Sequence, residues 1–135
     1  RGQAASIRTA LNDAQIGADQ IDLILPLGSA IASYDQAEAA ALRSVFGDRL
    51  SDIPIVSTKA CLGLCGAGVG ALDAAVGAMA LAEQKIPARI NCDEPIDGME
   101  SAASAPATDA SLRHVLVSSS ALGGQNVALI LRRAD

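Results

Sequence analysis

Lys59, Cys61 and Cys65 are crowded together with Gly63, Gly66, Gly68 and Gly70 in the stretch "STKACLGLCGAGVG", residues 57–70. Those residue types suit a phosphate cradle, a thiol site, or a loop taken over from some other active site. A phosphate cradle of the P-loop kind places its glycines before the lysine and a serine or threonine directly after it. Here the order is reversed, which argues against nucleotide binding. Cys61 and Cys65 are four residues apart, so on a helix they would share a face. A closed zinc site needs a full tetrahedral ligand set, and only Cys92 and His114 remain, at unhelpful spacings. A C-x-x-C pair is also missing. The cysteines therefore read as buried small hydrophobes.

His114, the sole histidine, opens a predicted strand with no nucleophile motif beside it, so it reads as structural or exposed. Asp35 and Glu38 could form an acid–base pair. Asp35 as helix N-cap with Glu38 as its capping-box partner already explains both. Taken alone, these residues hold no self-sufficient catalytic set, and no cofactor or metal is expected.

The elements that would position them follow from the spacing of apolar residues. Ile7, Ala10, Leu11 and Ala14 recur at helical intervals, with Gly17 placed to end that helix. "IDLILPL" (21–27) and "IPIVST" (53–58) read as buried strands, and a helix opening at Asp35 runs to Gly47. "GALDAAVGAMALAEQ" (70–84) is a small-residue helix that lets a neighbouring backbone approach closely. "IPARIN" (86–91) reads as a third strand, and residues 92–111 as one long loop. "RHVLVSSS" and "NVALILRR" then make two strands joined by a tight glycine turn. The order α-β-α-β-α-β-β-β predicts an α/β layered fold with a mixed sheet and no internal domain boundary. Because the chain begins on a helix, the strand that should precede it is expected to be missing.

Composition narrows the partners. Half of the 135 residues are hydrophobic, yet Tyr34 and Phe46 are the only aromatics and the formal charge is −5. A nucleic-acid binder shows a basic stripe and stacking aromatics, and neither is present. Charged or polar residues interrupt every apolar stretch, so no membrane span is expected. Reduced thiols in so acidic a chain fit a cytoplasmic protein better than a disulfide framework.

Four stretches read together add a resemblance: "LGSAIASYDQAEAAALRSVFG", "IPIVSTKACLGLCGAGVGALDAAVGAMALAEQKIPARIN", "DEP" and "SSSALGGQNVALILRR". In that order and spacing they resemble the C-terminal half of β-ketoacyl synthases, which have the thiolase-like fold. That family carries out decarboxylative condensation of acyl thioesters in fatty-acid and polyketide synthesis. The resemblance covers nearly the whole chain. It implies a thiolase-like domain at residues 1–135 that is a segment of a longer protein. It also implies that the half-fold's first strand, running through the middle of the sheet, is absent here.

The departures from the family pattern bear on activity. The family's H-G-T-G-T-x-x-x-D motif is "LGSAIASYD", with Leu27 in the histidine's place, Gly28 next and Asp35 at the end. The family's K-x-x-x-G-H keeps Lys59 and Gly63 but has Leu64 for its histidine. The final loop, N-S-F-G-F-G-G-T-N in the family, is "SSSALGGQN": Ser120 and Leu122 replace the phenylalanines, while Gly123, Gly124 and Asn126 remain. The resemblance thus implies degenerate active-site positions at Leu27 and Leu64 and a retained polar network of Asp35, Glu38 and Lys59. It assigns no catalytic residue, because the nucleophilic cysteine belongs to the other half. It points to a non-condensing, chain-length-factor-like partner of an active ketosynthase, dimeric and handling an acyl chain borne by acyl carrier protein. The glycine- and alanine-rich face from Gly66 to Ala80 would pack on the other half. One alternative is a condensing or acyltransferase enzyme using a cysteine in the missing N-terminal half, and another is a purely structural domain.

Overall fold

In the computed structural model, which describes residues 1–134, the chain opens on helix α1 (Gly2–Asp13). Ala4, Ile7 and Leu11 are its buried stripe, with Gln3 buried beside them. It stops earlier than Gly17: Gln15 takes a positive φ of 56° and the Ile16 N–H returns to the Leu11 carbonyl at 3.1 Å. Strand β1 (Leu23–Leu25) is buried at every residue because helices cover both of its faces. Helix α2 (Ala32–Phe46) begins three residues before Asp35, with Ile31 at the N-cap. The capping-box reading of Asp35 and Glu38 is therefore corrected. Both lie inside the helix and turn their carboxylates to the preceding loop.

Residues 53–58 pair with β1 only through the parallel bridge between Ile24 and Ile55. The Pro54 carbonyl accepts from the Ile24 N–H at 3.0 Å, and the Val56 N–H donates to the Ile24 carbonyl at 2.9 Å. Pro54, lacking an N–H, keeps this edge short. A single helical turn, α3 (Lys59–Leu62), leads through the glycine-rich stretch into α4 (Val69–Glu83). The expected third strand shrinks to β2 (Lys85–Ile86), which pairs antiparallel with β3 (Thr108–Asp109) in a separate ribbon. The long loop thus carries a strand of its own. The hairpin of β4 (His114–Ser120) and β5 (Asn126–Arg132) forms as read from the sequence.

The main sheet runs β1–β4–β5, with β1 parallel to β4 and β5 antiparallel to it. Alternate side chains of these strands feed two cores. Ile24 and Leu116 meet Ile7, Leu11, Leu42 and Phe46 of α1 and α2. Leu23, Leu25, Val115 and Val117 meet Ala80 and Leu81 of α4 on the opposite face. Gly77 makes the second contact close: a Cβ there would lie 3.0–3.3 Å from methyls of Leu131, Leu25 and Val115. The result is a three-layer α/β/α arrangement around a mixed sheet, the fold class expected.

Two expectations fail. No slot is left in the middle of the sheet, since β1 bonds directly to β4 and β4 to β5. Also, Gly66–Glu83 is long and apolar enough to cross a membrane by length and composition, contrary to the expectation that no stretch is. In the fold that segment lies on the sheet through Val69, Gly77, Ala80 and Leu81 and holds the fully buried Asp73.

Candidate functional site

The site is organised around residues 26–29, the loop that leaves the C-terminal end of β1. Its backbone polar groups have lost the sheet ladder and must find other partners. Glu38 supplies them from α2. Its carboxylate accepts the Leu27 N–H at 2.9 Å and the Gly28 N–H at 2.8 Å. Gln3 of α1 donates its side-chain amide to the same group at 2.8 Å, and the Ser118 hydroxyl stands 3.5 Å away. Asp35, one turn earlier, accepts from both the N–H and the hydroxyl of Ser29 at 2.9 Å.

Lys59 holds the same loop from the other direction. Its ammonium donates to the Pro26 carbonyl at 2.8 Å and forms an ion pair with Asp73 of α4. The second Asp73 oxygen accepts the Thr58 hydroxyl at 2.5 Å. The Lys59 and Asp73 side chains are 6% and 0% exposed, so both charges are desolvated and depend on each other. Gly28 completes the loop at a φ of +51°, and a Cβ on it would sit 2.6 Å from the Ser57 hydroxyl oxygen. Only glycine fits there. Burial pushes the Glu38 carboxyl above its ordinary range. The Gly28 and Leu27 N–H groups and the Lys59 charge work against that rise, and Asp35 adds to it.

The loop separates two cavities. One, of about 480 Å³, is lined by Asp35, Glu38, Lys59 and Gly63 together with Arg89 and Cys92. The other, of about 760 Å³, is lined by Leu27, Leu64, Leu122 and Ser120, with Ile31, Val127 and Leu129 around them. Leu64 borders both. Ser29, Tyr34 and Ser119 are the other polar residues on the second wall, so an apolar chain is the complementary guest. Leu27 is 8% exposed at its floor, while Leu64 and Leu122 are 57% and 80% exposed at its mouth. Gly123 and Gly124 lie in the β4–β5 turn below Leu122, which the Asn126 side chain braces through the Gly124 carbonyl at 2.8 Å.

The other candidates fall outside this arrangement. Cys61 and Cys65 are exposed rather than buried, because the stretch around them lies on the surface; Cys92 is half-buried. Burial and Asp93 raise the Cys92 thiol. His114 is buried, with Nδ1 3.1 Å from the Gln20 carbonyl oxygen, a structural placement. No group of His, Cys, Asp and Glu among the described residues is placed to hold a metal.

Sequence reasoning passed over Asp73 and Gln3. Asp73 had left a signal: a lone carboxylate inside an apolar helix is rarely buried unpaired, and Lys59, in the motif just before that helix, was a cation available to it. Gln3 left none, since its role depends on where α1 crosses α2.

The site is thus a loop at the strand ends of a helix-flanked mixed sheet, pinned by buried charges beside an apolar cavity. Residues 1–93 match the family described as "Beta-ketoacyl synthase, C-terminal domain", and the chain belongs to that family. It is 29% identical over 134 residues to the tetracenomycin polyketide synthase ketoacyl synthase beta subunit of Streptomyces glaucescens, covering 98% of this chain and 32% of that one. It is 28% identical over 133 residues to 3-oxoacyl-[acyl-carrier-protein] synthase 2 of Coxiella burnetii, with the same coverage of both chains. Among solved structures it resembles the ishigamide ketosynthase/chain length factor with a TM-score of 0.91 and 32% identity, covering 98% of this chain and 33% of that one. The chain thus spans about a third of the length of the curated relatives it matches.

Proposed function

We propose that this chain is part of a non-condensing, chain-length-factor-like protein that works beside an active ketosynthase in polyketide or fatty-acid synthesis. The observation that carries the reading is the pair Leu27 and Leu64 on one apolar cavity, at the two positions where the resemblance expects histidines. Condensation requires donors aimed at a thioester carbonyl as charge develops on it, and losing one such donor typically costs ~10²–10³-fold in rate. Leucine supplies none. The cavity keeps what an acyl chain needs, an apolar lining and room, while the buried charges keep the loop's shape. Likeness to a ketoacyl synthase beta subunit and to a ketosynthase/chain length factor pair favours this role over a purely structural one. In this reading the protein is a longer polypeptide that dimerises with the active ketosynthase and meets an acyl chain carried by acyl carrier protein. The exposed small-residue side of α4 packs on the remainder of that polypeptide.

The full-length polypeptide should give no condensation product from malonyl and acetyl thioesters on acyl carrier protein, and should restore or lengthen product when an active ketosynthase is added. Condensation by the polypeptide alone would overturn the reading in favour of an enzyme with its cysteine in the N-terminal half. No change in product with the ketosynthase present would leave the structural role.

A further inference from the structure

Among the described residues four non-glycines take a positive φ, and three of them are held there by what they contact. Gln15 closes α1 through its N–H to the Asn12 carbonyl at 3.1 Å. Gln84 bonds the backbone of Leu81 and Leu112 with both ends of its side-chain amide, at 2.8–3.1 Å. Asn91 belongs to a residue type enriched in this region, and its amide reaches the Ala60 carbonyl at 3.1 Å. Ala30, at a φ of 61°, has no such support. Its side chain is a methyl, and its N–H and carbonyl make no hydrogen bond among the described residues.

Ala30 is exposed, so core packing does not impose its conformation. The motif H-G-T-G-T-x-x-x-D has its second glycine at this position, so the strained side chain belongs to this chain in particular. The turn is held through Asp35, whose Oδ1 accepts both the N–H and the hydroxyl of Ser29 at 2.9 Å. The Ser29 hydroxyl oxygen in turn accepts the Ile31 N–H at 3.2 Å. Backbone strain persists only while neighbouring contacts enforce it, and it concentrates at ligand clamps and switch regions. Just beyond the strained residue, Ile31 and Tyr34 stay 49% and 36% exposed, although both line the large cavity.

We propose that residues 29–34 form a sprung lid over the large cavity. While the cavity is empty, Asp35 holds Ser29 and Ala30 stays in the left-handed region. When an apolar chain fills the cavity, Ala30 relaxes out of that region, and Ile31 and Tyr34 turn onto the guest. Two effects favour the closed form. It sheds the strain of one left-handed residue, worth a factor of roughly five to thirty in the equilibrium. It also takes exposed apolar surface of Ile31 and Tyr34 out of water. The guest is the acyl chain of the proposed function, so the lid depends on that reading.

Binding of cis-parinarate, a fluorescent fatty acid, to the full-length polypeptide tests this. Ala30→Gly removes the strain from the open form alone. It should therefore raise the denaturation midpoint of the empty protein and weaken parinarate binding about five- to thirtyfold. Ala30→Val strains the open form further, so it should lower the midpoint and tighten binding. A turn with only a structural role would move the midpoints and leave the affinities equal, and that result overturns the lid. Tighter binding by Ala30→Gly overturns it as well. Leu129→Glu places a charge on the cavity wall and should abolish binding. Parinarate binding that survives this change, or no binding by the unaltered polypeptide, overturns the acyl-chain reading and the lid with it.

Discussion

The two sides of residues 26–29 have diverged in chemistry. On one side, Glu38 and Asp35 accept the loop's N–H groups, and Lys59, held by its buried pairing with Asp73, donates to the Pro26 carbonyl. On the other, the loop shows Leu27 to an open apolar cavity shared with Leu64 and Leu122. A buried charge is costly to leave unpaired, whereas an exposed leucine at the cavity mouth, such as Leu64 or Leu122, can be exchanged with little effect on folding. Substitution should therefore cost most stability on the shape-keeping side and least at the exposed positions of the apolar side.

The difference should be largest at the ion pair. Asp73→Ala leaves the Lys59 ammonium buried beside only the Pro26 carbonyl, and should cost about 3–5 kcal/mol in chemical denaturation. Replacing both partners with apolar residues, Lys59→Met with Asp73→Leu, should recover much of that loss, because no charge is then stranded. Equal loss in single and double variants would show that the pair's value lies in the Thr58 and Pro26 contacts instead.

Next comes Gly28. Gly28→Ala forces a side chain into the left-handed region, at about 1–2 kcal/mol, and drives its methyl against Ser57. Ser57→Ala in the same chain should relieve the contact but not the backbone term. Denaturation midpoints of the two single variants and the double variant separate these contributions.

Glu38 tests the polar side by pH. Its carboxyl is raised, chiefly by burial, so the folded protein holds this proton more tightly than the unfolded chain does. The group's contribution is fully present below the ordinary value of 4.5 and is lost as pH rises through the raised one. The stability of the native protein relative to Glu38→Gln should therefore increase as pH falls toward 4.5 from above the raised value. A flat difference across that range would mean that the loop's N–H groups fully offset the burial.

Much of this was legible in the chain and some was not. The elements with strong periodicity, α1, α4 and the β4–β5 hairpin, appear where their patterns place them. The 53–58 and 86–91 runs read as strands but pair through little more than a bridge each, because Pro54 and Pro87 limit the ladder. Asp35 satisfied the local rule for an N-cap, yet both carboxylates reach past the helix start to residues 27–29 of the preceding loop. The same holds for Asp73 and Gln3: a helix's own sequence does not state which loop will need its side chains. Strand order was not legible either, since it depends on which edges pair and not on any residue's type.

The smallest effect is expected on the apolar side, where it bears most on function. Leu64 is 57% exposed at the mouth of the cavity, so Leu64→His should change stability by no more than about 0.5 kcal/mol. Leu27 is 8% exposed at the floor, and an imidazole there would have to find a partner, so Leu27→His should cost more than Leu64→His. Neither variant of the 135-residue chain, nor the two combined, should condense malonyl and acetyl thioesters. In the family the attacking thiolate comes from the other half, and Cys61 and Cys65 lie on exposed backbone outside the lining of the large cavity. Product from the doubly substituted chain would mean that one of its own thiols reaches the cavity. The division between a shape-keeping side and a tolerant apolar side would then be in the wrong place.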